Sequence, residues 1–184
     1  MEVKHNNQRF HRGFTLVELM AIVAIVGILA AVAIPSFRKM LNRSRSSEAP
    51  INLKAIADGA QQYYLQERLG SDGVVSPRKF PGSSSYNNRP SNAPCTGSTG
   101  SQYPKSPTVW NTPVWRDLRF SLKTAHYFRY GFRSENTGNQ AFFFARAQSD
   151  LNCNGVLSSY RLRGSLSSGG LFQRSSLMVT NRGE

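Results

Sequence analysis

An uninterrupted apolar segment near the N-terminus is the feature that most constrains this chain. Residues 19–34 contain only Ala, Gly, Ile, Leu, Met and Val, and the longer segment 14–37 has 24 residues with one charge, Glu18. As a helix this segment would be about 36 Å long, which exceeds the roughly 30 Å thickness of a bilayer's hydrocarbon core. The segment therefore predicts a membrane-spanning helix.

The residues that flank the apolar segment leave its processing and orientation open. A secretory signal peptide would also have a basic start, here Lys4, Arg9 and Arg12, but the residues after the segment, Ile34 to Lys39, lack a small-x-small cleavage site. Basic residues stand on both sides, since the segment is followed by Arg38, Lys39, Arg43 and Arg45. The rule that cytoplasmic flanks are more basic therefore does not decide the orientation.

Glu18 is the one acidic residue of the segment. Placing an ionised carboxylate inside a bilayer costs roughly several kcal/mol of free energy. An acidic residue in a membrane span therefore indicates a functional role and requires a partner of opposite charge. The alternative is that Glu18 lies ionised and hydrated at the headgroup boundary, with the span beginning at Leu19. Position alone does not separate these two interpretations.

The residues around Glu18 carry a family resemblance. Residues 12–18 read Arg-Gly-Phe-Thr-Leu-Val-Glu, and with the apolar run ending at Pro35 they resemble the class III signal of type IV prepilins and the related pseudopilins. The resemblance implies that residues 1–13 are a leader, that prepilin peptidase cleaves between Gly13 and Phe14, and that the new Phe14 amine is methylated. It also implies a single pass through the inner membrane, with the leader in the cytoplasm and the remainder outside.

The resemblance gives Glu18 a partner and an assembly role. In pilin filaments this carboxylate is thought to pair with the N-terminal amine of Phe14 on a neighbouring subunit, and a proline in the position of Pro35 marks where the helix bends or melts during assembly. Two charges in an apolar core are tolerated only as a pair, so the pair would set the register between subunits. The implied partners are other pilins and minor pilins, prepilin peptidase, the inner-membrane assembly platform and, before assembly, membrane lipid.

The resemblance also implies the fold class, an α+β pilin fold in which a long N-terminal helix packs its C-terminal half on an antiparallel sheet. We expect a transmembrane or filament-core helix over 14–37 and an amphipathic helix over 38–66. Apolar residues of the second segment recur at helical spacing and would form one stripe along the helix. They are Leu53, Ile56, Ala57, Ala60, Tyr63 and Tyr64. Pro50 predicts a break near Ala49, with Ser46 or Ser47 capping a new helix.

The remainder divides into a loop over 67–116 and a sheet head over 117–184. In residues 70–115, 25 of 46 are Gly, Ser, Pro or Asn, which predicts a surface loop with little apolar burial, anchored by aromatic residues such as Trp110 and Trp115. Aromatic and alternating segments predict strands over 127–132, 141–148 and 158–163, with a further strand over 171–180. A turn is expected at 135–139.

Two further features of the predicted head concern cross-links and metals. Because the resemblance places Cys95 and Cys153 outside the cytoplasm, where disulfides are favoured, they are a candidate pair. Asp150, Asn152 and Asn154 match the start of a calcium loop, but its twelfth position is Arg161 instead of Glu. We therefore expect no metal and no cofactor, and a hairpin turn accounts for these residues.

The sequence argues against catalysis and leaves binding open. His5 and His11 lie in the leader, His126 is interpreted as a polar residue at a strand edge, and no catalytic constellation is evident, so no enzyme is predicted. The formal net charge is +13, and it is +11 without the leader. This charge, together with the basic and aromatic residues of the stretches 116–120 and 127–133, makes nucleic acid a candidate partner.

These observations predict a structural subunit of a type IV pilus, in particular a minor pilin with roles in pilus assembly, adhesion or twitching motility. After assembly, such a subunit is located in the pilus at the cell surface, or in the periplasm. Two alternatives stay open, a pseudopilin of type II secretion and a DNA-binding pilin-like subunit for DNA uptake.

Overall fold

The computed structural model describes residues 13–70, 73–82, 84–95 and 101–181. The chain divides into two compact units, one up to Met40 and one from Leu41 onward. The predicted fold class is confirmed, since a long N-terminal helical segment precedes an antiparallel sheet. Nearly all of the predicted leader, residues 1–12, lies outside the described residues.

The first helix, α1, comprises Leu16–Ser46 and continues through Pro35. Up to Met40 its side chains are exposed, including Leu16 at 74% and Val32 at 71%, and only Ala30 is partly covered. Within the described residues, one helical segment is long and apolar enough to cross a membrane. Apolar side chains on all sides of a helix are typical of a segment that lipid or other helices surround.

A short interruption separates α1 from the second helix, α2, which comprises Glu48–Leu65. Pro50 has no N–H to donate and its ring crowds the carbonyl four residues earlier, that of Ser46, where α1 ends. The expected serine cap is wrong: Ser47 stays in a helical conformation, and its hydroxyl donates to the Ser44 carbonyl at 2.7 Å. The backbone therefore stays in a helical conformation across the interruption between the two helices.

The sheet has six strands, all paired antiparallel, in the order β1-β2-β3-β4-β5 with β6 also on β4. The strands are β1 Asn87–Arg89, β2 Arg129–Glu135, β3 Phe142–Ser149, β4 Ser158–Leu166, β5 Phe172–Arg174 and β6 Met178–Thr180. The single strand expected over 171–180 is wrong. It divides into β5 and β6 because Ser175 between them bonds to both backbone groups of Arg163.

One face of the sheet packs on α2 to form the core. Leu53, Ile56 and Ala60 of α2 are fully buried, as are Phe132 and Phe143 of the sheet. The alternation of strand residues produces this arrangement, because every second side chain of β2 and β3 lies on the α2 side. The side chains between them lie on the opposite face.

The segment predicted as a loop with little apolar burial differs from that expectation. It contains β1, a short 3-10 helix at Pro107–Trp110 and a one-turn helix, α3, at Pro113–Asp117. Phe80, Tyr103, Trp110 and Trp115 are all buried, and the Trp115 indole donates to Asn87 Oδ1 at 2.9 Å. Few aromatic residues suffice to bind this polar segment to the core, since each buries a large apolar area.

Candidate assembly segment and its supporting contacts

The N-terminus of α1 is built by a reciprocal pair of side chains. The Glu18 N–H donates to Thr15 Oγ1 at 3.2 Å, and the Thr15 N–H donates to Glu18 Oε2 at 3.0 Å. The Thr15 hydroxyl also donates to Oε2 at 2.9 Å. This is a capping box, in which a Thr and a Glu three residues later satisfy helix donors that have no intrahelical partner. The spacing was visible in the sequence, but the sequence interpretation considered only the charge of Glu18.

The capping box leaves part of the carboxylate for another partner. Both bonds from Thr15 reach Oε2 of Glu18, and neither uses Oε1. Gly13 and Phe14 precede the helix, and the Phe14 side chain is 78% exposed. The structure thus places Phe14 and Glu18 at the same end of α1, and the cleavage between Gly13 and Phe14 stays a prediction.

This N-terminal arrangement coincides with a known family motif. A family model described as the prokaryotic N-terminal methylation motif matches residues 8–34, which contain Gly13, Phe14, the capping box and most of the apolar run. Several type IV major pilins also match the chain at 41–50% identity. In its N-terminal segment the chain is similar to type IV pilins. The similarity rests on the motif together with these relatives.

Three relatives illustrate the extent of the similarity. The type IV major pilin protein PilA of Myxococcus xanthus is 50% identical over 72 residues, which cover 39% of this chain and 32% of PilA. The type IV major pilin protein PilE1 of Neisseria gonorrhoeae is 44% identical over 71 residues, which cover 36% of this chain and 43% of the relative. The fimbrial protein EcpC of Eikenella corrodens is 43% identical over 61 residues, which cover 33% of this chain and 39% of EcpC. The chain therefore spans less than half the length of each of these relatives.

No solved structure matches this chain.

Glu48, in the first turn of α2, fastens the start of β2 to that helix. Its carboxylate accepts hydrogen bonds from the Tyr127 N–H at 2.9 Å and from the Tyr130 hydroxyl at 2.7 Å. The Asn52 amide donates to the same hydroxyl at 2.8 Å. Burial, and next the charge of Glu48, raise the pKa of Tyr130 well above its ordinary value, so this phenol stays a neutral donor. The contact joins residues about 80 positions apart.

The candidate cysteine pair is joined in the structure. Cys95 and Cys153 form a disulfide with a Cα–Cα distance of 5.5 Å and a sequence separation of 58 residues. The bond links the Gly/Ser/Pro-rich segment to the turn between β3 and β4. In the chain-entropy account, a closed loop of this length stabilises the fold by about 4 kcal/mol.

The turn between β3 and β4 uses its acidic and amide oxygens internally. Asp150, which is 3% exposed, accepts from the Asn154 N–H at 3.1 Å and from the Gly155 N–H at 2.8 Å. Asn152 and Asn154 accept from backbone N–H groups of the same turn. Among the described residues, no group of three His, Cys, Asp or Glu side chains could hold a metal ion. The hydrogen bonds of a turn account for the sequence pattern.

The stretches 116–120 and 127–133, which make nucleic acid a candidate partner in the sequence, expose few of their aromatic rings. Phe128, Tyr130 and Phe132 are fully buried in the core, and Phe120 is 7% exposed. Tyr130 and Phe132 lie on the α2 side of β2, because side chains alternate along a strand, and their arginine neighbours lie on the opposite side. Arg129 and Arg133 therefore share a face with residues of other strands.

His126 is buried, contrary to its interpretation as a polar strand-edge residue. It is 4% exposed, its ring stacks on Tyr103 with centroids 5.4 Å apart, and the Trp110 ring lies 5.7 Å away. Nδ1 lies 3.3 Å from the Thr124 carbonyl, and Nε2 has no hydrogen-bond partner among the described residues. Burial lowers the pKa of His126 below its ordinary value, although Thr124 and Glu48 act in the opposite direction.

Acidification is therefore expected to destabilise the C-terminal unit through His126. The unfolded chain takes up a proton near pH 6.5 while the folded histidine resists it, so stability present above this pH is lost as the pH falls, by at most about 1.4 kcal/mol per pH unit. Urea unfolding followed by tryptophan fluorescence at pH 7.5 and 5.5 measures the loss. His126→Gln should reduce the difference between the two midpoints, and an equal difference in the variant would contradict the assignment.

Proposed function

We propose that this chain is a structural subunit of a type IV pilus and that pilin subunits around it hold it through the apolar part of α1. The observation that carries the proposal is the methylation motif over residues 8–34, which includes the first part of a helix whose apolar side chains are exposed on all sides. Such a surface is stable in lipid before assembly and in a bundle of neighbouring helices afterwards. No catalytic step enters this function, so the protein acts as a building block and not as an enzyme.

Processing precedes assembly in this proposal. Prepilin peptidase removes residues 1–13 on the cytoplasmic side of the inner membrane and exposes the Phe14 amine, which is methylated. The assembly platform then moves the subunit from the membrane into the filament, and the C-terminal unit reaches the cell surface. Pro35 lowers the helical stability of the span by one hydrogen bond, which supports its role as the place where the helix adapts.

The Phe14 amine and Glu18 carry the register between subunits. The amine of one subunit pairs with the carboxylate of its neighbour, and the unused Oε1 supports this role because the capping box then persists after pairing. An acid at this position also favours a subunit that lies beneath another one, since its carboxylate needs an incoming amine.

We further propose a minor position in the filament. The long polar segment over 67–116 and the basic C-terminal unit suit a specialised subunit of low abundance better than a closely packed major one. The designation major pilin belongs to the relatives, whose matches cover less than half of either chain. Copy number is thus a property to be measured.

Shearing of surface filaments tests the proposal. A tagged full-length chain should appear in the sheared fraction, at well below the amount of the principal subunit by quantitative mass spectrometry. A tagged Gly13→Leu chain, which prepilin peptidase should not cleave, is the matched control and should stay in the membrane fraction. Co-purification with a secretion apparatus in place of filaments would favour the pseudopilin alternative and overturn the assignment to a pilus.

A further inference from the structure

The sheet face opposite α2 collects arginines from three different strands. Since Phe132, Ala145 and Leu162 pair across the sheet on the core side, their neighbours along each strand lie on the other side. The arginines there are Arg129, Arg133, Arg146, Arg161 and Arg163. We call this surface, together with Tyr86, Phe142 and Phe144, the arginine face.

The aromatic residues of this face hold the guanidinium groups in place. The guanidinium of Arg146 lies 3.9 Å from the ring centroid of Tyr86, and that of Arg133 lies 4.7 Å from the ring centroid of Phe144. Arg163 approaches Phe142 at 5.1 Å and Phe144 at 5.8 Å. Arg146 is also held by hydrogen bonds that its Nε and Nη2 donate to Asn88 Oδ1. The plane of a guanidinium held in this way can itself stack on a nucleobase.

The arginine face has a large excess of positive charge. Glu135 is the one acidic side chain of β2, β3 and β4 on this side, and its carboxylate pairs with Arg133 at 2.8 Å. Arg161 and Arg163 are exposed. Burial, together with the nearby charges of Arg129, Arg161 and Arg133, lowers the pKa of Arg146 from its ordinary value. The cluster is therefore repulsive by itself and would be stabilised by an anion of several charges.

The spacing of the cations favours a polyanion with regular charges. Arg161 and Arg163 are two residues apart on β4, about 7 Å along the strand, and Arg146 is directly opposite Arg161 on β3, about 5 Å away. An extended nucleic acid strand presents its phosphates at comparable intervals, and guanidinium groups bind phosphate oxygens with two parallel hydrogen bonds.

We propose that the arginine face binds single-stranded nucleic acid, with phosphates on the guanidinium groups and bases on the arginine-aromatic stacks. The rings distinguish this ligand from an acidic polysaccharide, which offers carboxylates but no base to stack. They also favour a single strand over a duplex, whose bases are already stacked on each other. This activity goes beyond assembly and does not depend on it.

Fluorescence anisotropy tests the proposal with the full-length mature chain in a neutral, nonionic detergent. A labelled 20-nucleotide oligothymidylate should bind, and the logarithm of its affinity should fall with the logarithm of salt with a slope of about −2 to −3, as three to four phosphate contacts require. Arg161→Gln/Arg163→Gln should weaken binding about tenfold and reduce the slope by about 1.4. Both arginines are exposed, so the variant should fold.

The matched control removes two positive charges from elsewhere in the same unit. Arg116 and Lys123 are exposed and lie outside the sheet, so Arg116→Gln/Lys123→Gln should retain wild-type affinity within about twofold. A loss equal to that of the β4 double variant would show that net charge and not the arginine face is responsible, and would overturn the proposal.

A second variant tests the stacking part. Phe144→Leu keeps an apolar side chain between Arg133 and Arg163 but removes the ring. It should weaken oligothymidylate binding about fivefold or more and weaken the binding of a polygalacturonate chain less, because polygalacturonate has no base to stack. Absence of oligothymidylate binding at 50 mM salt, tighter binding of a duplex of the same length, or an equal loss for polygalacturonate would each overturn the proposal.

Discussion

A Glu18→Gln chain is expected to be inserted and cleaved normally but to enter filaments at less than about one hundredth of the wild-type level. Glutamine keeps the size of the side chain and an oxygen that can accept the Thr15 bonds, so it preserves the capping box. It lacks the charge that the proposed pairing with a neighbouring Phe14 amine requires. Breaking a buried ion pair costs roughly 3–5 kcal/mol, which is more than a hundredfold in an association equilibrium.

Immunoblots of membrane and sheared-filament fractions measure the two steps separately, since cleavage shortens the chain by 13 residues. Thr15→Ala is the matched control, because it removes the hydroxyl of the capping box and retains the Glu18 charge. That variant should assemble well, with a loss of about 1 kcal/mol in helix stability. Normal assembly of Glu18→Gln together with failure of Thr15→Ala would show that capping, not pairing, is the role of Glu18.

Gly59→Ala is expected to destabilise the C-terminal unit by about 2 kcal/mol or more. Gly59 lies inside α2, where alanine by itself would stabilise a helix by about 1 kcal/mol. A Cβ at this position would collide with the carbonyl oxygen of Leu118 and lie 3.0 Å from the carbonyl carbon. The Leu118 backbone cannot withdraw easily, because its N–H donates to the Val114 carbonyl and its side chain is 1% exposed.

Tryptophan fluorescence during urea unfolding measures this loss directly, because both tryptophans of the chain, Trp110 and Trp115, are buried in the C-terminal unit. Gly27→Ala is the matched control: it is the same substitution in a helix, with nothing within 4 Å of the added Cβ. It should leave the unfolding midpoint unchanged. A midpoint for Gly59→Ala equal to or above that of the wild type would contradict the close approach of α2 to Leu118.

Two disagreements between the sequence interpretation and the structure have a common cause. Phe142, Phe143 and Phe144 are consecutive and show no alternation, yet only Phe143 is buried against α2, and its ring lies over Gly164 of the neighbouring strand. His126 was interpreted from its position before a strand, whereas a bridge to Tyr103 places it under the aromatic residues of a distant segment. In each case the partner lies far along the chain.

The same distinction applies to the candidate sites. The sequence by itself determined α1, its capped start and its end near Ser46. These features depend on interactions between residues at most a few positions apart: the apolar run, the pair Thr15 and Glu18, and the crowding by Pro50. The arginine face and the need for glycine at position 59 were decided only by the tertiary structure. They depend on which strands pair and how closely α2 approaches Leu118, and these follow from the packing of the entire unit and not from any local pattern.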